Sequence, residues 1–175
     1  MTIENLLSEL PAFAADIRQN FDALITGSAL SEQQRWGSFL ASAAATRNQR
    51  VVSEIYAQAA QYLDVSAINA TLGTASMMAM NNVAFRSRGW LGADYEQMRT
   101  GLRMNFHLNS GVAEVDYELW ALAVSAVNGC EHCLIAHEQH VTSLGLSKEQ
   151  IFEAIKIAAV VAGVAQALEL AAAIQ

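Results

Sequence analysis

The sequence predicts an all-α protein, and three observations carry that prediction. The 175 residues contain a single proline, where average usage of about 5% would place roughly nine. Alanine, the best helix former, occurs 32 times. Apolar positions recur at a spacing near 3.6 residues through most of the chain, and no stretch reads as a pair of strands.

The elements follow in order. Ile3, Leu6, Leu7 and Leu10 predict a short first helix. Pro11 ends it and fits the first turn of the next helix, which Phe13 and Ile17 continue. Ser31 with Gln34 forms a capping box for a helix running to about Ala45. Residues 46–48 break it, and another helix covers roughly Gln49–Gln61. Ser66 is placed to cap a helix that runs to about Asn82. Residues 86–112 are richer in Gly, Arg and Asn and predict a linker with one short helix near Asp94–Met98. Asp116 is placed to cap Tyr117–Val127, and Asn128-Gly129 breaks that helix. A new helix starts near Cys130 and runs to about Leu144. Ser147 with Gln150 forms a second capping box and opens the last long helix.

The chain reads as one domain over residues 1–175 with an internal repeat, approximately 30–85 and 113–168. A constant offset of 83 lays residues 40–84 on 123–167 without gaps. Ser42-Ala43 falls on Ser125-Ala126, Leu63 on Leu146, Ile68 on Ile151 and Ala79 on Ala162. The helix breaks coincide too, Thr46-Arg47 with Gly129-Cys130 and Asp64 with Ser147. The differences are informative. Cys130, His132 and Cys133 fall opposite Arg47, Gln49 and Arg50, while His137 falls opposite Glu54 and Glu118 opposite Arg35. The first copy has the scaffold without the chemistry.

Composition excludes several classes. With 53% hydrophobic residues the chain is not disordered. Two cysteines cannot staple this much chain. A net charge of −7 and scattered arginines give no basic stripe for nucleic acid. The segment MTIENLLSEL has no basic region and no long apolar run, so the expected location is cytoplasmic, with reduced thiols. The apolar stretch 157–174 is mostly Ala and Val and is interrupted by Gln166 and Glu169. It reads as a buried core helix and not as a membrane span. High apolar content with few charges predicts burial between subunits, hence an oligomer.

The chemistry-bearing residues are Glu118, Cys130, His132, Cys133 and His137. Both cysteines of the chain lie three residues apart, a spacing that in a cytosolic protein means redox chemistry or a metal. On a helix, positions i and i+3 share a face with Cβ atoms about 5–6 Å apart. A modest adjustment brings the sulfurs into bonding range, so the pair can cycle between dithiol and disulfide. Orphan amides and the positive end of the dipole at a helix start favour a thiolate there. His137 lies one turn beyond Cys133 on the same face and can take a thiol proton or pair with the thiolate. If the chain reverses at Asn128-Gly129, Glu118 comes level with His137, where a carboxylate can fix one imidazole tautomer.

Other readings stand beside this one. Cys130 and His137 are about 10.5 Å apart along a straight helix, too far to share one zinc ion. His107 and His140 could supply further ligands but read as surface residues. A thioredoxin-like motif would need a βαβ context that is absent here. A free cysteine can be only a small buried apolar residue. His132 points away from the Cys130/Cys133/His137 face, and either tunes the thiols or is a polar surface residue. Met77, Met78 and Met80 read as core filler, and Trp36 and Trp120 as packing anchors.

The spacing Glu118, eleven residues, Cys130, two residues, Cys133, three residues, His137 resembles the E-x11-C-x2-C-x3-H signature of alkyl hydroperoxidase D, a branch of the carboxymuconolactone decarboxylase superfamily. The strings ELWALAVSAVNGCEHCLIAHE, ASAAATRN and MMAMNNVAFRSRG extend the resemblance over essentially the whole chain. The resemblance implies an all-α fold with duplicated halves, usually a homotrimer, that reduces organic hydroperoxides. It implies that the Cys133 thiolate attacks the peroxide and becomes a sulfenic acid, which Cys130 resolves to a Cys130–Cys133 disulfide. Glu118 and His137 would relay protons. The implied reductant is an external dihydrolipoyl group on an acyltransferase, itself reduced by dihydrolipoamide dehydrogenase. A peroxiredoxin, alkyl hydroperoxide reductase C, is a further implied partner. No bound cofactor or metal is implied. The motif serves equally a disulfide reductase or electron adaptor for the peroxiredoxin, and a non-catalytic thiol or metal sensor is a third reading.

Overall fold

A computed structural model describes residues 3–174. Its helices are α1 (Ile3–Ser8), α2 (Ala15–Thr26), α3 (Glu32–Thr46), α4 (Gln49–Ala59), α5 (Val65–Leu91), α6 (Ala93–Glu96), α7 (Glu114–Val127), α8 (Glu131–Ser143) and α9 (Lys148–Ala173). Short 3-10 turns cover Ala12–Ala14 and Asn105–Asn109. There is no strand among the described residues, and the all-α expectation holds.

Both capping boxes form. Ser31 Oγ accepts from the Gln34 amide at 3.2 Å while the Gln34 side chain accepts from the Ser31 amide, and Ser147 with Gln150 repeats the arrangement. Each box satisfies two amides that a helix start leaves without partners. Three boundaries differ from expectation. Asp64, not Ser66, caps α5, its carboxylate accepting from the Ala67 amide at 2.7 Å. Ser66 lies in the first turn and donates to the Gly111 carbonyl. Helix α5 continues past Asn82 to Leu91, so the start of the expected linker, residues 86–91, is helical. Helix α7 starts at Glu114, which leaves Asp116 inside its first turn. There the buried Asp116 carboxylate accepts from Gln33 at 2.6 Å and Gln34 at 3.0 Å, tying α7 to α3.

The core is built on α3 and α7. They pack on each other, and each also packs on both long helices, α5 and α9. Close approach requires Gly37: a Cβ there would fall inside the indole of Trp120. Trp36 and Trp120 are both fully buried, as packing anchors should be, and the Trp120 Nε1–H donates to the Gln34 carbonyl. Shifted by 83, the bounds of α3, α4 and α5 fall within two residues of those of α7, α8 and α9.

Helix α9 is long and apolar enough to cross a membrane by length and composition, but half of its apolar window is buried inside the protein. It packs on α2, α3 and α7. Its buried Glu153 accepts from the Ser28 hydroxyl and the Ala29 amide, which holds the loop before α3.

Candidate active site

The site starts from a tight turn between α7 and α8. Asn128 ends α7, and Gly129 takes φ +64°, a left-handed conformation that costs glycine little. The Cys130 amide donates back to the Ser125 carbonyl at 3.0 Å. Cys130 is thereby placed as the N-cap of α8, one residue before the helix proper, and its Sγ accepts from the Cys133 amide at 3.4 Å. In the first repeat the N-cap of α4 is Asn48, whose side chain accepts from the Val51 amide. Cap for cap, Cys130 thus matches Asn48 and not Arg47, a local offset of 82.

Cys130 and Cys133 are joined in a disulfide, with Cα atoms 5.3 Å apart. Both are buried. The amides of the first turn of α8 converge at this point. They favour negative charge on whichever sulfur is released when the bond opens.

The reversal at Asn128-Gly129 packs α8 back on α7 and brings Glu118 to His137. The His137 Nδ1 lies 2.6 Å from Glu118 Oε2, with both side chains largely buried. With Nδ1–H donating to the carboxylate, the neutral ring keeps its lone pair on Nε2, the nitrogen free to act as base. Burial pushes the Glu118 carboxyl up. The hydrogen bond with His137, the charge of His137 and the charges of His140 and His107 push it down, and they prevail. Glu118 is therefore an anion at neutral pH. Its neighbour Tyr117 is buried, and burial together with the Glu118 charge raises its phenol to about 12.

Two pairs are thus assembled, the cystine and the carboxylate–imidazole pair, one helical turn apart on α8. His132 is not part of either. It is exposed, and its ring stacks on Phe85 of α5 with centroids 6.0 Å apart. His107 is exposed on the 105–109 turn, with Nδ1 2.9 Å from the Met104 carbonyl. Among the described residues no group of three or more His, Cys, Asp or Glu is arranged to hold a metal ion.

Sequence reasoning missed the contribution of α5. Asn82 donates to Ser125 Oγ at 3.0 Å and accepts from Asn128 Nδ2 at 2.9 Å. One turn on, Arg86 donates to the Asn128 carbonyl and lies over the Trp90 ring. These contacts clamp the turn that carries Cys130. The only signal in the sequence was two adjacent asparagines inside a helical pattern, where polar side chains need partners if buried.

Fold and site together define a class of protein, all-helical and carrying a C-x-x-C cystine at a helix start. Residues 93–175 match the carboxymuconolactone decarboxylase family. The chain is 55% identical to an alkyl hydroperoxide reductase AhpD of Corynebacterium kroppenstedtii, covering 99% of each chain. It is 52% identical to an AhpD of Corynebacterium aurimucosum, covering 97% of this chain and 96% of the relative. It is 50% identical to an AhpD of Mycobacterium tuberculosis, covering 96% and 95%. The chain belongs to the AhpD branch of the carboxymuconolactone decarboxylase family.

Proposed function

We propose that the protein is an antioxidant thiol peroxidase that reduces organic hydroperoxides through Cys130 and Cys133. The observation that carries this reading is the cystine at the start of α8, one turn from the Glu118–His137 pair. Its relatives are named alkyl hydroperoxide reductases, which agrees with it.

The geometry supports the following chemistry. In the dithiol, His137 Nε2 takes the proton of Cys133, and Glu118 stabilises the resulting imidazolium. The Cys133 thiolate attacks the O–O bond, forming a sulfenic acid and releasing an alkoxide, which takes a proton to leave as alcohol. The Cys130 thiolate then attacks the sulfenic sulfur. An S–S bond forms and hydroxide leaves as water, so both thiol protons end in the products. The helix start favours charge on Cys130, whereas proximity to His137 favours Cys133. A positioned base acts at the moment of reaction, so Cys133 is assigned the attack.

Re-reduction by a dihydrolipoyl group is dithiol–disulfide exchange: its two thiols become a disulfide and the protein regains two. The lipoylated acyltransferase and dihydrolipoamide dehydrogenase are the partners this requires, and a peroxiredoxin is a further electron acceptor. His132, exposed and stacked on Phe85, is assigned the tuning of the thiols. The protein is assigned to the cytoplasm, where a cystine persists only as a turnover intermediate. We further propose a homotrimer, supported by the exposed apolar side chains Trp90, Leu91, Tyr95, Met98 and Leu108, which a subunit contact would cover.

A coupled assay with lipoamide, dihydrolipoamide dehydrogenase, NADH and cumene hydroperoxide tests the reading. NADH consumption should vanish in Cys133→Ser, while Cys130→Ser should leave a sulfenic acid that dimedone traps. Consumption that survives in Cys133→Ser refutes the assignment. Consumption that requires added peroxiredoxin identifies the protein as an electron adaptor instead.

A further inference from the structure

His140 lies one turn after His137 on α8, and its ring sits between two carboxylates of α7. Nδ1 is 3.5 Å from Glu118 Oε2, and Nε2 is 3.2 Å from Glu114 Oε1. Glu118 Oε2 is the same oxygen that faces His137 at 2.6 Å. Four side chains therefore form one row: Glu114, His140, Glu118, His137. Side-chain exposure falls along it from 61% and 41% to 10% and 17%. The row begins in solvent and ends at the buried pair beside the cystine.

The proposed cycle needs protons to move between that pair and water. Peroxide reduction is balanced overall, because the two thiol protons leave on the alcohol and on water. They are not released together, however. A Cys133 proton taken by His137 before peroxide arrives must be held or exchanged. The two protons of the reductant's thiols must also reach the protein's sulfurs during exchange. A largely buried carboxylate–imidazole pair meets little solvent of its own, so the rate of exchange depends on what connects it to the surface.

We propose that His140, with Glu114, is the proton-exchange link between the Glu118–His137 pair and solvent. The inference rests on the reading of Cys130 and Cys133 as the redox centre. Imidazole accepts a proton on one nitrogen and releases one from the other, and each nitrogen of His140 faces a carboxylate. A small ring rotation closes the 3.5 Å span to Glu118. His140 touches no reacting atom, so it is a positioning residue that acts through Glu118. The charged and titratable groups facing the row are Glu114, Tyr117 and Glu118 from α7, His137 from α8 and His107 from the 105–109 turn. Glu114 is the outermost member, where it holds the ring in line and passes the proton to water.

The test compares wild type with His140→Ala, His140→Gln and Glu114→Gln in the coupled assay, at fixed pH and ionic strength, in dilute and concentrated non-imidazole buffer. Wild-type turnover should be indifferent to buffer concentration. His140→Ala should be about threefold to tenfold slower in dilute buffer and should recover when free imidazole is added. Glu114→Gln should lose less. His140→Gln, which fills the space, should stay slow. Variants as fast as wild type in dilute buffer, or a slow His140→Ala that imidazole does not rescue, overturn the inference. A merely structural role for this half-exposed side chain would give no response to imidazole. Proton NMR of the His137 Nδ1–H signal provides a readout that does not depend on peroxidase activity. Its exchange with water should slow in His140→Ala and quicken with imidazole, and unchanged exchange overturns the link. Wild type that fails to consume NADH refutes the peroxidase reading alone, and the NMR comparison then decides the inference by itself.

Discussion

Glu118 keeps its charge in a place where burial alone would remove it. The hydrogen bond from His137 and the surrounding histidine charges hold its carboxyl below the ordinary value of 4.5. As pH falls, the unfolded chain therefore takes up this proton before the folded one does. The stability that Glu118 contributes is complete above 4.5 and is lost as pH falls through the lower folded value. Glu118→Gln still accepts from His137 but loses the charge assistance, a loss of about 1–2 kcal/mol at neutral pH. The melting temperature at neutral pH should drop by a few degrees, roughly 2–4 °C per kcal/mol for this chain length. The gap from wild type should close in acid. A gap that is equal in acid would mean that packing, not charge, was lost. Tyr117 reports on the same carboxylate from the alkaline side. Its phenol is raised to about 12 by burial and then by Glu118. Its contribution to stability is present below the ordinary value of 10.0 and lost as pH rises through about 12. Tyrosinate absorbance should therefore emerge at lower pH in Glu118→Gln, where the second cause is gone.

Helix α5 matters to the site because its far half holds the turn before Cys130. Asn82→Ala removes both hydrogen bonds and leaves Ser125 Oγ and Asn128 Nδ2 to find new partners, at a cost of about 1–3 kcal/mol. The clamp restrains the turn in its cross-linked shape. Loosening it frees the dithiol more than the disulfide, so the reduction potential should rise by about 15–30 mV, measured against a lipoamide redox buffer. Asn82→Asp keeps the acceptor for Asn128 and should show little of the shift. An unchanged potential in Asn82→Ala would confine the clamp to stability. This half of α5 was the part of the fold least legible in the sequence. Asn81 and Asn82 read as the end of a helix, because isolated asparagines favour breaks and caps. Here both are buried, and the bonds of Asn82 to another element outweigh its local preference. Capping boxes were legible because both of their partners lie within one turn. Asp64 won over Ser66, and Asp116 went to Gln33 and Gln34, for reasons that only the tertiary structure contains. The Glu118–His137 contact was legible because it depends on one chain reversal at Gly129. The row through His140 and Glu114 was not, because it depends on which side-chain rotamers a packed pair of helices leaves room for.

The first repeat shows what the scaffold does without the chemistry. Arg35, which stands where the second repeat has Glu118, donates to the Ile25 carbonyl, and Arg50 pairs with Glu9 at 2.5 Å. Both serve local structure, so only one face of the molecule carries the site. A second asymmetry bears on assembly. Trp90 is 77% exposed and Leu108 66% exposed, and Leu91, Tyr95 and Met98 lie between them in sequence. The segment folds against α5: Arg88 donates to the Tyr95 and Glu96 carbonyls, and a Cβ on Gly73 would strike the Phe106 ring. Four of the eight arginines, Arg86, Arg88, Arg99 and Arg103, fall in or beside it, although the chain as a whole carries −7. Arginine and aromatic side chains are what subunit interfaces concentrate at their cores. In the proposed homotrimer, this segment is the candidate contact between copies of the chain. Light scattering should therefore give about 57 kDa, three times the protomer mass of 18.9 kDa. Trp90→Ser with Leu108→Ser should shift the mass toward one protomer while helical content by circular dichroism stays the same, since neither side chain is buried in the protomer. A wild-type mass of one protomer, or a double variant that keeps the full mass, would remove this face from the assembly.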